Sequence, residues 1–230
     1  MGIDYTKRPK SPSAPAMSGQ GAPVSLSKVT LTKNAPVVSL TKQGSTSGVL
    51  RINLNWNARP GSRSGGIFGQ RGAGAIDLDL GCLYEFTDGS KGVVQALGNA
   101  FDARPYNVRE RVIWLDGDDR TGSNSAGENL FIDLAHAAQI RRVLVFAFIY
   151  DGVPNWSAAD GVVTLYPATG PQVEVRLDDS RDGARICGIA MLESRNGELS
   201  VHREVRYVDG GQSKLDRAYG WGMNWSPGRK

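Results

Sequence analysis

The sequence predicts an all-β protein: an antiparallel β-sandwich with long loops, one or two short helices and a disordered N-terminal tail. Three observations predict the all-β class. Apolar–polar alternation, the period-two mark of a half-buried strand, recurs along the chain. Turn residues separate these segments at roughly 8–12-residue spacing, as in antiparallel sandwiches. Helical periodicity is scarce. With 230 residues, 40% of them hydrophobic, the chain can bury one large core. The expected organisation is a tail over residues 1–23 and a single domain over 24–230.

Residues 1–23 are rich in Pro, Ser, Ala, Gly and Lys and cannot build a core. They contain no apolar h-region of a signal peptide. Val24–Lys28 and Val29–Lys33 both alternate apolar residues with hydroxyls and predict a hairpin or a repeated edge strand; Val38–Lys42 echoes them. Val49–Asn57 puts Leu50, Ile52, Leu54 and Trp56 on one face and Arg51, Asn53, Asn55 and Asn57 on the other. Asparagine is a poor strand former, so this second face reads as a polar cleft or a hydrophilic outer surface. Residues 58–75 form a loop rich in Gly, Ser and Arg, with no Walker signature.

Ile76–Phe86 alternates again, with Asp77 and Asp79 on one face. Two carboxylates at i and i+2 lie roughly 7 Å apart, a repulsion that a cation would relieve. Further strands are predicted at Val112–Leu115, Asn129–Ile132, Arg142–Tyr150, Val162–Tyr166, Val173–Leu177, Arg185–Glu193 and Leu199–Val208. Arg142–Tyr150 is apolar throughout its middle, which predicts a central strand buried on both faces. Asn196-Gly197 is a two-residue hairpin signature. Short helices are expected at Leu134–Ala138 and Lys214–Ala218. The C-terminal run Tyr219–Trp225 reads as an exposed aromatic cluster.

Charge is unevenly distributed. Of the net +4, residues 1–50 supply +5, from six basic groups against Asp4, and the remaining 180 residues carry −1. A nucleic-acid-binding body would carry its basic patch on the folded part, so no nucleic acid is expected as a partner. No apolar run is long enough for a transmembrane helix, and a cytoplasmic location is expected. Cys82 and Cys187 lie in apolar strand-like segments and are expected to be buried free thiols rather than a disulfide framework. No Gly-x-Ser-x-Gly, Cys-x-x-Cys or paired-His motif occurs, and His136 and His202 lie far along the chain from the acidic loop, so no enzyme is expected.

The densest cluster of chemistry is residues 116–133. Asp116, Asp118, Asp119, Asn124 and Glu128 share one glycine-punctuated loop with the hydroxyls of Thr121, Ser123 and Ser125. Hard oxygen donors on a bendable backbone suit calcium, although the same residue types also build ordinary turns. The spacing is not that of an EF-hand, since Arg120, Thr121 and Gly127 fall where that loop needs Asp or Asn, Gly and Glu.

Taken together, these segments resemble the bacterial tellurium-resistance stress-protein family built on the TerD domain, in particular its TerA-like branch. The matching residues are Val24–Lys28, Leu54–Asn57, Ile76–Leu80, Asp116–Gly122 with Glu128-Asn129, Phe146–Gly152, Ile186–Ala190 and Tyr219–Met223, in that order. The resemblance implies a β-sandwich with calcium at one end, held by Asp77, Asp79, Asp118, Asp119, Thr121 and Glu128. Ser123 and Asn124 add neutral oxygen donors in the half of the loop where the family carries carboxylates. Asn55-Trp56-Asn57 stands in the same way where the family has Gly-Trp-Asp. Fewer charges imply one calcium site and a weakened second.

The resemblance further implies a non-enzymatic module of calcium-dependent assembly or sensing in the tellurite, phage and colicin resistance system. Its expected partners are other proteins of that system, at the inner face of the membrane, with homo-oligomerisation a further expectation. An alternative is a calcium-dependent β-sandwich that binds carbohydrate or a membrane surface.

Overall fold

The computed structural model describes residues 28–56, 76–116, 127–151, 155–178 and 183–226. The predicted tail and the first predicted strand before Lys28 lie outside these residues. Among the described residues, thirteen strands form two sheets. The first is seven-stranded, built from β1 (Lys28–Thr30), β3 (Val49–Asn55), β6 (Asp102–Ala103), β7 (Ile113–Leu115), β8 (Glu128–Asp133), β10 (Gly161–Tyr166) and β11 (Gln172–Leu177), in the order β1-β11-β10-β3-β8-β7-β6. The second is six-stranded, built from β2 (Val37–Ser39), β4 (Asp77–Phe86), β5 (Lys91–Val94), β9 (Ile140–Asp151), β12 (Ile186–Arg195) and β13 (Glu198–Val208), in the order β2-β13-β12-β9-β4-β5.

The alternation read from the sequence sets the facing. Leu50, Ile52 and Leu54 of β3 are fully buried between the sheets, and Arg51 and Asn53 point out. Strand β9 is buried on both faces, as its apolar run requires. Val143, Val145, Ala147 and Ile149 enter the core between the sheets, while Leu144 and Phe146 enter a second cluster on the outer side. That second cluster is closed by α2 (Gln212–Tyr219), which brings Leu215, and by Trp221 just beyond it. The helix ends in a Schellman motif. Gly220 takes φ 62°, its N–H bonds the Arg217 carbonyl, and the Trp221 N–H bonds that of Asp216.

Three expectations are corrected. Lys28–Thr30 is an edge strand, one of the two readings expected of this segment, but it pairs in parallel with Gln172–Glu174, so the first sheet is mixed rather than purely antiparallel; the other half of the expected hairpin, Val24–Ser27, lies outside the described residues. The third echo of that motif lies at the edge of the other sheet, paired with β13. The C-terminal aromatic run is not an exposed cluster, since Trp221 is 1% exposed. Its Nε1 donates to the Tyr84 carbonyl at 3.0 Å, and the Arg142 guanidinium sits 3.8 Å from its ring centroid. The predicted helix after Leu134 is a 3-10 helix, Leu134–Gln139. Strands β5 and β6 and the one-turn helix α1 (Trp156–Ala159) are too short to leave a periodic signature. Asn196-Gly197 turns as expected, with both residues at positive φ between Arg195 and Glu198. No helix among the described residues is long and apolar enough to cross a membrane.

Candidate functional site: an acidic end of the sandwich

The strand register brings one set of strand termini together. Asn55 lies opposite Val162, Leu54 opposite Glu128, Gly161 opposite Leu177 and Asp77 opposite Asp151. The termini that flank residues 57–75, 117–126, 152–154 and 179–182 therefore all lie at this end of the sandwich. Asp77 and Asp79 are half-buried on β4. Glu128, the first residue of β8, is 5% exposed. Its Oε2 accepts the Leu80 N–H at 2.6 Å, so it crosses from the seven-stranded sheet to the six-stranded one and meets the chain beside Asp79. Asp118, Asp119, Thr121, Ser123 and Asn124 lie outside the described residues.

Gly127 explains how Glu128 reaches across. It takes φ +70°, and a Cβ on it would lie 2.1 Å from the Leu54 carbonyl oxygen. Only glycine lets β8 start this close to β3.

Two residues take roles that sequence reasoning did not assign. Asp116, one of the oxygen-rich residues of the loop but not among its expected ligands, braces the neighbouring strand. Its carboxylate accepts the Asn129 side-chain N–H at 2.8 Å and the Asn129 backbone N–H at 3.4 Å. The Asn129 side-chain oxygen in turn accepts from Asn53 at 3.0 Å and from Arg51 at 3.2 Å. Asp151 stands in register opposite Asp77 at the same end. Its signal was present in Tyr150-Asp-Gly, but only cross-strand pairing shows where it stands.

Comparison with known proteins places this architecture. A tellurium resistance protein, TerA, from an Alcaligenes species is 44% identical over 234 aligned residues, which cover all of this chain and 66% of that protein. The chain belongs to the tellurium-resistance family, in its TerA branch. It spans 66% of the length of this TerA relative. No family model matches the chain. A crystal structure of a protein of unknown function shares the fold, with a TM-score of 0.54 at 16% identity over 76% of this chain and 98% of that one. A homologue of the telluride resistance protein TerD from Streptomyces coelicolor A3(2) aligns with a TM-score of 0.48 at 20% identity, over 74% of this chain and 95% of that one.

In this TerA-branch chain the donors at the acidic end are hard oxygens, as calcium prefers. Among the described residues, no group of three His, Cys, Asp or Glu side chains converges closely enough to hold a metal by itself. Of the expected donors, the fold brings Glu128 to the backbone beside Asp79; those between residues 117 and 126 lie outside the described residues. Burial pushes the Cys82 thiol up, so no thiolate is poised for redox chemistry there. Burial and the neighbouring Glu204 carboxylate push the Tyr219 phenol up in the same way.

Proposed function

We propose that this chain is a calcium-binding, non-enzymatic stress protein that works as a calcium-dependent assembly or sensing module in tellurite, phage and colicin resistance. One observation carries the reading. The buried Glu128 carboxylate bridges the two sheets to the backbone beside Asp79, at the stem of the oxygen-rich loop. Glu128, Asp79 and Asp77 would hold the ion from the sandwich side, and Asp118, Asp119, Thr121, Ser123 and Asn124 from the loop side. A bound cation would relieve the repulsion among these carboxylates and tie the loop to both sheets. The surface so shaped would be offered to other proteins of the resistance system.

Calcium titration with thermal melting tests the site. A ligand that binds only the folded state stabilises it by about 2.7 kcal/mol at a hundredfold excess over Kd. The wild type is expected to melt higher in calcium than in chelator, with the rise lost in Asp118→Ala/Asp119→Ala and reduced in Asp79→Asn. A wild type whose melting temperature ignores calcium would overturn the reading. Pull-down from a native lysate with and without chelator tests the module's role: partners should be retained only with calcium. Thiol labelling tests the absence of a redox role, since buried Cys82 and Cys187 should stay unreactive in the native protein.

A further inference from the structure

The outer face of the seven-stranded sheet carries a concavity of about 290 Å³ that the calcium reading does not use. Adjacent strands β3 and β10 form its floor. Asn55 lies opposite Val162, Asn53 opposite Thr164 and Arg51 opposite Tyr166, so successive outward pairs run along the groove. Its polar lining is Asn53, Asn55, Thr164 and Asp160, and the rings of Trp56 and Tyr166 flank these groups. The size falls at the lower end of the roughly 300–1,000 Å³ usual for small-molecule sites.

The lining is built before any ligand arrives. Asn53 and Thr164 are only 6% and 9% exposed. The Asn53 amide donates to the Asn129 side chain at 3.0 Å. The Trp56 indole N–H donates to the Ile76 carbonyl at 3.1 Å, which fixes the ring. Tyr166 is held by the Arg51 guanidinium, 4.0 Å from its centroid. Groups already ordered lose little entropy on binding.

The lining chemistry selects the ligand class. No Lys, Arg or His is among the described lining residues, and the nearby Arg51 guanidinium is already engaged by the Tyr166 ring and the Asn129 side chain, so a phosphate or carboxylate finds no countercharge turned into the groove. Amides, a hydroxyl and a carboxylate leave little apolar wall for a lipid tail. Together they offer both donors and acceptors, as a ring of hydroxyls requires, and the aromatic side chains offer faces for its C–H side. We infer that this concavity binds a neutral saccharide. It begins at the same end of the seven-stranded sheet as Glu128, but its described lining includes none of Asp77, Asp79 and Glu128, so the sugar is held without a cation.

Isothermal titration and tryptophan fluorescence on the full chain test this. The probes are glucose, galactose, mannose, N-acetylglucosamine and their linear oligomers, each in calcium and in chelator. Saturable binding of at least one sugar is expected in both conditions. Asn55→Ala removes an exposed amide and Thr164→Val removes one hydroxyl at constant shape. Each lost hydrogen bond is expected to weaken binding about two- to tenfold. Circular dichroism and thermal melting identify well-folded variants for the comparison. The assignment is overturned if no sugar binds in either condition, or if a folded Asn55→Ala/Thr164→Val variant binds as tightly as the wild type. Sugar binding that vanishes in chelator would move the site to the acidic end and overturn it equally. Failure of the calcium melt alone, with sugar binding intact, sinks the calcium reading and leaves this one standing.

Discussion

On the six-stranded sheet, the outer cluster of Leu83, Leu144, Phe146 and Ile186 is closed beneath Leu215 and Trp221. On the seven-stranded sheet the outward positions include Arg51, Asn53, Trp114, Asn129, Phe131, Thr164 and Tyr166. The first face is sealed by the end of the chain; the second satisfies itself. Its polar groups bond along the row Asp116, Asn129 and Asn53. Its rings pair with one another or with arginine: Trp114 stacks on Phe131 at 5.4 Å between centroids, and Arg111 lies 4.5 Å from the Trp114 centroid. An apolar outer face must be covered to leave water, whereas a hydrogen-bonded one can stay open and bind. That difference turns one sheet into a wall and the other into a candidate recognition surface.

The largest test of the comparison removes the cover. Trp221→Ala empties a fully enclosed site and breaks the Arg142 contact, and should cost about 3–5 kcal/mol in urea denaturation. An effect below about 1 kcal/mol would mean that the cover is dispensable.

The latch on that cover is Asp216, which is 3% exposed. Its carboxylate accepts N–H groups from Gly222, Met223 and Trp225, each at 2.9 Å. Burial pushes this carboxyl up, but the three hydrogen bonds and the Lys91 charge outweigh it and hold the pKa below the usual value. Stability from a depressed carboxyl is present above its unfolded pKa, near 3.9, and is lost as pH falls through the lower folded value. Asp216→Asn should therefore cost about 1–3 kcal/mol at neutral pH. The gap between wild type and variant should narrow on acidification below about pH 4; denaturation curves at neutral and acidic pH check both.

On the open face, Asn129→Ala strips the Asp116 carboxylate and the Asn53 amide of a shared partner. A loss of about 1–2 kcal/mol is expected, together with weaker calcium affinity if Asp116 steadies the loop stem. Unchanged calcium titration in this variant would separate the face from the acidic end. The smallest effect is expected for Asn55→Ala, an exposed amide, whose melting temperature should match the wild type within an equivalent of about 0.5 kcal/mol. Together these four variants rank cover, latch, polar row and open floor.

Much of this architecture was legible in advance, and the reason is local. Leu50, Ile52 and Leu54 alternate with Arg51 and Asn53 because strand geometry sends neighbours to opposite faces, and the core took the apolar set. The unbroken run in β9 announced burial on both sides. Asn196-Gly197 announced its turn because it tolerates positive φ. Of the candidate site, Asp77, Asp79 and Glu128 stand at one end of the sandwich. The bracing role of Asp116 was not legible, because a carboxylate that braces a neighbouring strand and one that awaits a cation look alike in sequence. Trp221 was misread because the glycines on either side of it suggest an exposed loop. Nothing local shows that the indole meets Tyr84 and Arg142, which lie far back along the chain.

By itself, then, the sequence determined the strands, their inward faces and the oxygen-rich chemistry of residues 116–133, all of which follow from periodicity and residue type. Only the tertiary structure decided which strands are neighbours. It set Glu128 across the sandwich beside Asp79, paired β1 in parallel with β11, sealed one outer face with the chain's end and left the other a polar groove. Those outcomes depend on contacts between residues distant along the chain, where the gain comes from burying whole surfaces against one another, and no window of sequence contains both partners.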